Sequence, residues 1–158
     1  MRQYWQGLTV AEDQTHHVRG KRPAYKARFE QVLKFHPPGL APVRDTSGAY
    51  HIGPRGQAIY QERYIRTFGF YEGRAAVQAD IGWFHILPDG KPLYSQPYAW
   101  CGNFQEGRST VRRPDGLYLY LLLNWTRCLP RYLPLRRRLS GWDCCGATGK
   151  WIAYPYQS

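Results

Sequence analysis

Aromatic, aliphatic and glycine positions recur along this chain with a period of about 34 residues. One kind of block runs from a glycine to a tyrosine and begins at Gly20, Gly56 and Gly90. A second runs from a phenylalanine through a central glycine to a valine and begins at Phe35, Phe70 and Phe104. A third places a histidine before an aliphatic residue, at His17, His51 and His85. Three blocks that keep one period indicate a tandem array in which each unit stacks on its neighbours.

Each unit is predicted to consist of short strands joined by tight turns. In the unit with the clearest pattern, aromatic and β-branched residues mark three strands, at 74–78, 83–86 and 91–94. The segments between them, 79–82 and 87–90, are predicted to be turns, the second of type I with Pro88 at its second position.

Alternation along residues 83–86 predicts Trp83 and His85 on one face of the strand and Phe84 and Ile86 on the other. A unit this small cannot bury its apolar surface alone, so neighbouring units must cover it. The predicted fold class is therefore all-β, made of tandem antiparallel meander or hairpin repeats. Their stacking as an open solenoid or in a propeller-like arrangement is left open by the sequence.

The repeat array is predicted to span residues 1–119, with units at about 20–55, 56–89 and 90–119, followed by an irregular tail at 120–158. The next histidine of the series would fall at position 119, where the chain has Leu119. When residues 136–147 are back-translated and shifted by one nucleotide, permitted codons give AGDYRDGIAVVR, which has the form of residues 101–112. The tail is therefore expected to be an out-of-frame reading of the next repeat. The alternative is an atypical capping repeat.

The unit resembles the bacterial WG repeat over residues 14–117. The matching positions are Phe70, Glu72, Gly73, Ala75, Val77, Gly82, Trp83, Ile86, Asp89 and Gly90. The resemblance implies a β-repeat region of a larger bacterial protein. Some such regions are attached to a class I SAM-dependent methyltransferase domain, but the sequence contains no glycine-rich strand-to-helix loop for that cofactor.

The composition favours a folded β protein, since 43% of the residues are hydrophobic and 16% aromatic, with 16 Gly and 12 Pro. The longest apolar run, residues 117–123, is far shorter than a membrane span, and the first residues do not form a signal peptide. The expected location is the cytoplasm.

The net charge of +11 is unevenly distributed, with +6 over residues 1–117 and +5 over residues 118–158. Basic residues lie among aromatics near the start of the array, at Arg19, Lys21, Arg22, Lys26, Arg28 and Lys34. Such a surface can bind single-stranded nucleic acid. A solvated face of the repeat is the favoured interpretation.

The candidate chemical groups are better explained by structure than by catalysis. The periodic histidines are expected at a hydrogen-bonding position rather than at a metal, because ligands must converge on one ion. The cysteines, Cys101, Cys128, Cys144 and Cys145, form no CxxC pair. The acids Glu72 and Glu106 occupy equivalent turn positions, and the cluster at 136–138 lies in the aberrant tail. No catalytic, cofactor-binding or metal-binding residue is therefore predicted.

The expected function is that of a non-catalytic binding or scaffolding module for protein partners, as a fragment of a larger bacterial protein. The first alternative is the repeat region of a SAM-dependent methyltransferase whose catalytic domain lies outside this chain. The second is a basic and aromatic surface that binds nucleic acid.

Overall fold

The computed structural model describes residues 4–123 and 130–134, and these residues form strands and turns without a helix. The strands are Thr9–Val10 (β1), His17–Arg19 (β2), Arg22–Pro23 (β3), Gln31–Val32 (β4), Ala41–Asp45 (β5), Gly48–Ile52 (β6), Arg66–Thr67 (β7), Ala75–Ala79 (β8), Gly82–Ile86 (β9), Trp100–Cys101 (β10), Arg108–Arg112 (β11), Tyr118–Leu123 (β12) and Pro130–Pro134 (β13). The all-β fold class predicted from the sequence is confirmed.

The strands form four antiparallel sheets in chain order, β1-β2-β3, β4-β5-β6, β7-β8-β9 and β10-β11-β12-β13. In the second and third sheets, a two-residue strand precedes a hairpin of two five-residue strands. The two hairpins share one register, with Val43 opposite Tyr50 and Val77 opposite Phe84. Equal sequence spacing thus gives equal pairing.

In the third unit, the third strand is not where the sequence placed it, whereas the first sheet does have a strand, β3, at the corresponding position. Residues 91–94 contribute only an isolated bridge between Ile86 and Pro92. The second unit likewise has only an isolated bridge here, between Ile52 and Ala58. In the third unit the chain then turns to bring Tyr94 over His85. The third strand is instead the short one that precedes the hairpin, β7 in this unit.

The fourth sheet crosses the predicted end of the array at residue 119, because β12 continues to Leu123 and pairs with β13. Its hairpin also has a longer loop, residues 113–117, between Arg112 and Tyr118. Residues 135–158 lie outside the described part of the chain, and so does most of the predicted tail.

The third sheet buries both of its faces, each in a different hydrophobic cluster. Phe84 and Ile86 belong to the cluster shared with the second unit. Trp83 belongs to the cluster shared with the fourth, and His85 contacts Phe104 of that cluster at a ring distance of 4.7 Å. The predicted alternation along this strand is therefore confirmed, and the third unit depends on both of its neighbours for the burial of its apolar side chains.

Backbone hydrogen bonds join successive units at a repeated position. Ala49 exchanges two N–H···O bonds with Tyr64, and Trp83 exchanges two with Tyr98. The glycine before each joint, Gly48 or Gly82, has a φ of 128° or 123°. A Cβ at Gly82 would lie 2.7 Å from the carbonyl oxygen of Tyr98. Close approach of two main chains therefore requires glycine at this position.

The hairpin tips of the third and fourth units are tight two-residue turns. Glu72 and Gly73 have φ of 51° and 73°, and Glu106 and Gly107 have φ of 52° and 73°. Two consecutive positive φ values are typical of a type I′ turn, whose twist matches that of the flanking strands. The carboxylate of Glu72 accepts a hydrogen bond of 2.9 Å from the N–H of Gly107, so one tip binds the next. Within the described residues, no helix has the length and apolar character needed to cross a bilayer.

Candidate functional site

A histidine in each of the first three units forms a buried node with a tyrosine hydroxyl and a main-chain carbonyl. Nδ1 of His51 lies 2.5 Å from the Tyr60 hydroxyl, and its Nε2 lies 2.8 Å from the Phe68 carbonyl oxygen. The same contacts occur at His17 with Tyr25 and Leu33, and at His85 with Tyr94 and Gly102. All three histidines are fully buried.

The node fixes the protonation state of its histidine. A carbonyl oxygen only accepts hydrogen bonds, so Nε2 of each histidine carries the proton and donates it. Burial disfavours the charged ring by lowering the pKa of each histidine, so Nδ1 carries no proton and accepts the tyrosine O–H. Burial lowers the pKa of His51 and of His85 to about 4, although the carbonyl partner of each works in the opposite direction.

With both ring nitrogens engaged, the three histidines act as structural connectors. Within residues 4–123 and 130–134, no group of three or more His, Cys, Asp or Glu side chains is arranged to hold a metal ion. The fourth sheet has no such node, because Tyr120 pairs with Thr110 at the register where His85 pairs with Ala76.

Of the other residues singled out from the sequence, Cys101 adjoins the His85 node, and Glu72 contacts the hairpin tip that contains Glu106. Cys101 is buried, 3.7 Å from the hydroxyl of Tyr94, and burial raises the pKa of its thiol to about 12. Glu72 and Glu106 sit on the hairpin tips described above. The remaining cysteines and the arginine cluster at 136–138 lie outside the described residues.

The basic residues near the start of the array are exposed, and two of them donate hydrogen bonds to main-chain carbonyls. Arg28 donates hydrogen bonds from one nitrogen to the carbonyl oxygens of Tyr25, Lys26 and Ala27, which precede it in the same loop. Arg19 donates to the Tyr4 carbonyl. The other four members of the set, Lys21, Arg22, Lys26 and Lys34, are exposed as well.

A groove of about 320 Å³ lies between the second and third sheets. Buried Pro42 and Val43 form its floor. Its walls include Leu33 and Ile65, two of the large apolar side chains that stay exposed, at 43% and 42% of their surface. Together with half-buried Phe68, they give the groove an apolar lining that is open to solvent.

Two arginines flank the groove at equivalent rungs of neighbouring sheets. Arg44 of β5 pairs with Gln31, and Arg66 of β7 pairs with Gln78. Both side chains are exposed. Within the described part of the chain, neither guanidinium makes an ion pair or a side-chain hydrogen bond. The residues that line the groove include no carboxylate, and Arg44 and Arg66 are its only charged lining residues.

This groove was not identified from the sequence. Leu33 and Ile65 belong to none of the three repeated blocks, and the groove between their units is a product of how two sheets pack. The only signal available was the recurrence of arginine at the Arg44 and Arg112 positions, which are two periods apart.

No family model matches this chain, and neither the curated proteins nor the solved structures provide a match.

Proposed function

We propose that this chain is a non-catalytic β-repeat module that binds a segment of a protein partner in the groove between its second and third sheets. The observation that carries the proposal is the exposure of Leu33 and Ile65 at a concave site flanked by Arg44 and Arg66. Exposed apolar side chains gathered in one groove are typical of interaction sites. Arginine is enriched at protein interfaces.

The chemistry of the groove supports binding rather than catalysis. The lining residues include no His, Cys, Asp or Glu, and therefore no general base, acid or thiol nucleophile. The strongly shifted histidines are instead buried within the nodes, where both ring nitrogens are already hydrogen-bonded. An apolar groove with two cationic side chains can recognise a ligand, but it offers no group that transfers a proton.

The proposal includes a WG-type repeat identity and a place within a larger bacterial cytoplasmic protein. The 34-residue spacing of the histidine nodes supports a repeat identity, since the same contacts recur in three successive units. Among the residues that resemble a WG repeat, Gly73 lies at a hairpin tip and Gly82 at a main-chain joint, and Ala75, Val77 and Ile86 are buried in the strands.

Photo-crosslinking at the groove tests the proposed function. A benzoylphenylalanine replacing Ile65 is expected to give a discrete cross-linked protein in the cells that produce this chain. The same residue replacing Ile81, which is 70% exposed but does not line the groove, provides the control. Equal cross-linking from both positions, or none from position 65, would contradict the proposal.

A further inference from the structure

We infer that the partner segment is acidic and inserts one aromatic side chain into the groove, between carboxylates that pair with Arg44 and Arg66. This inference rests on the proposed function and specifies its ligand. Two independent observations carry it: the way the next pair of sheets fills the corresponding space, and the charge around the groove.

The interface between the third and fourth sheets contains an aromatic ring at the corresponding place. Trp83 stacks on Phe68 there, with a ring distance of 5.4 Å and an angle of 27°, and only 7% of it is exposed. In the groove between the second and third sheets, the residue equivalent to Trp83 is Ala49, and the residue equivalent to its stacking partner Phe68 is Leu33. The protein thus supplies its own indole to one interface and lacks one at the other.

The walls of the groove are suited to such a ring. Ile65 and Phe68 stand where the next interface has Ala99 and Gly102, so at these two positions a guest ring meets larger apolar side chains than Trp83 does. An aromatic side chain buries about 150–250 Å² when it is fully enclosed. A groove of about 320 Å³ is at the small end of the range for binding pockets, which favours one side chain over a larger ligand.

The charges favour carboxylates beside that ring. A guanidinium binds a carboxylate through two parallel hydrogen bonds, and those of Arg44 and Arg66 have no such partner in the described part of the chain. A neighbouring groove that shares Arg44 is less suited to an acidic ligand. Its lining includes Glu30, Asp45 and Asp80, and its second arginine, Arg63, lies 3.7 Å from the centre of the Tyr50 ring.

Titration with three synthetic peptides tests the inference. The first is a short peptide of Glu and Ser with one central Trp, the second replaces Trp by Ala, and the third replaces Glu by Lys. Binding is followed by the amide NMR signals of Leu33, Ile65 and Phe68. We expect the first peptide to bind about tenfold or more tightly than either of the others, with an affinity that falls as salt is added.

Two variants and a matched control complete the experiment. Arg44→Glu combined with Arg66→Glu is expected to weaken binding of the first peptide at least about tenfold. Arg22→Glu combined with Arg55→Glu makes the same charge change away from the groove and is expected to leave binding nearly unchanged. Ala49→Trp, which supplies the ring from within, is expected to abolish binding. If that variant does not fold, Ile65→Ser provides the second apolar test.

The outcomes separate the inference from the proposed function. Equal binding of the acidic and basic peptides, or indifference to the Trp, would overturn the inference. So would an acidic peptide that shifts only signals remote from the groove. If position 65 cross-links a cellular partner while the acidic Trp peptide does not bind, the ligand assignment fails and the proposed function stands. If neither occurs, both fail.

Discussion

The hydroxyl of Tyr60 lies 2.5 Å from Nδ1 of His51, and this bond is one of three equivalent contacts that connect the units. Because Nε2 of His51 donates to a carbonyl oxygen and burial keeps the ring neutral, the tyrosine must donate to Nδ1. The pair is buried, so its two polar groups satisfy each other away from water. That arrangement stabilises the fold only while the imidazole stays neutral.

Tyr60→Phe removes the donor and leaves a buried nitrogen without a partner. We expect it to lower the free energy of unfolding by about 1–3 kcal/mol, because the desolvation of Nδ1 is no longer offset. Tyr71→Phe is the control, since the Tyr71 ring packs on His36 and its hydroxyl makes no hydrogen bond in the described structure. Urea denaturation of both variants measures the difference. Equal losses of unfolding free energy in the two variants would show that the Tyr60 hydrogen bond does not stabilise the fold.

Acid is expected to destabilise the protein in the window between pH 6.5 and pH 4. Burial lowers the pKa of His51 and His85 from 6.5 to about 4 in the folded chain. The unfolded chain therefore binds more protons in this window, and stability is complete above pH 6.5 and falls as the pH drops. Each histidine contributes up to about 3 kcal/mol by pH 4.

Denaturation at a series of pH values measures this effect. A His85→Gln variant should lose less stability on acidification than the parent, because one titrating group has been removed from the window. Asp45 does not account for the loss, since the pKa of its carboxyl is lowered from 3.8 and its contribution disappears only at still lower pH. A flat stability profile from pH 7 to pH 4.5 would refute the protonation argument.

Replacing the hairpin-tip acids by asparagine should have unequal effects. Both Glu72 and Glu106 adopt a left-handed φ, which asparagine tolerates better than glutamate. Glu106→Asn is expected to stabilise the protein by about 0.5–1 kcal/mol, because only an exposed pair with Arg108 is lost. Glu72→Asn should stabilise less or destabilise, since its carboxylate holds the Gly107 N–H. Thermal unfolding of the two variants provides the comparison, and identical shifts would argue against a contact between the tips.

Gly82→Ala tests the close approach at the joint between the third and fourth units. The added Cβ would lie 2.7 Å from the Tyr98 carbonyl oxygen, at a φ of 123°. We expect a loss of more than about 2 kcal/mol. Gly73→Ala provides the matched control, because its φ is also positive but no atom lies within 4 Å of the added Cβ. The control should lose only about 1 kcal/mol, from backbone strain. Similar losses in the two variants would show that crowding at the joint is unimportant.

The reading-frame interpretation of residues 120–158 is decided by the gene. We expect the coding sequence, shifted by one nucleotide, to continue the repeat with a glycine-containing hairpin tip and a histidine before an aliphatic residue. Sequencing the gene and measuring the mass of the native protein would test this. A shifted frame without repeat-like residues would favour the capping-repeat alternative.

The sequence predicted the strands 83–86 and 74–78 well. The alternation of side chains along a strand and the 34-residue repeat can both be read from the residues of the segment itself. It missed the identity of the third strand, because the turn that carries Tyr94 to His85 depends on a contact across the unit. The tyrosines of the nodes were visible as the last residue of the first block, at Tyr25, Tyr60 and Tyr94. The groove at Leu33 and Ile65 was not visible, since it depends on the packing of two sheets whose contacts no local pattern encodes.

The joints at Ala49–Tyr64 and Trp83–Tyr98 are made by main-chain atoms, and the side chain on the first strand can be as different as alanine and tryptophan. A main-chain joint of this kind does not depend on the side chains of the units that it connects. A gene segment of one period could therefore be duplicated or lost and the remaining units would still fit together. The number of units in such an array is then free to vary during evolution. Substitutions at the joints change which side chain or ligand fits between two units.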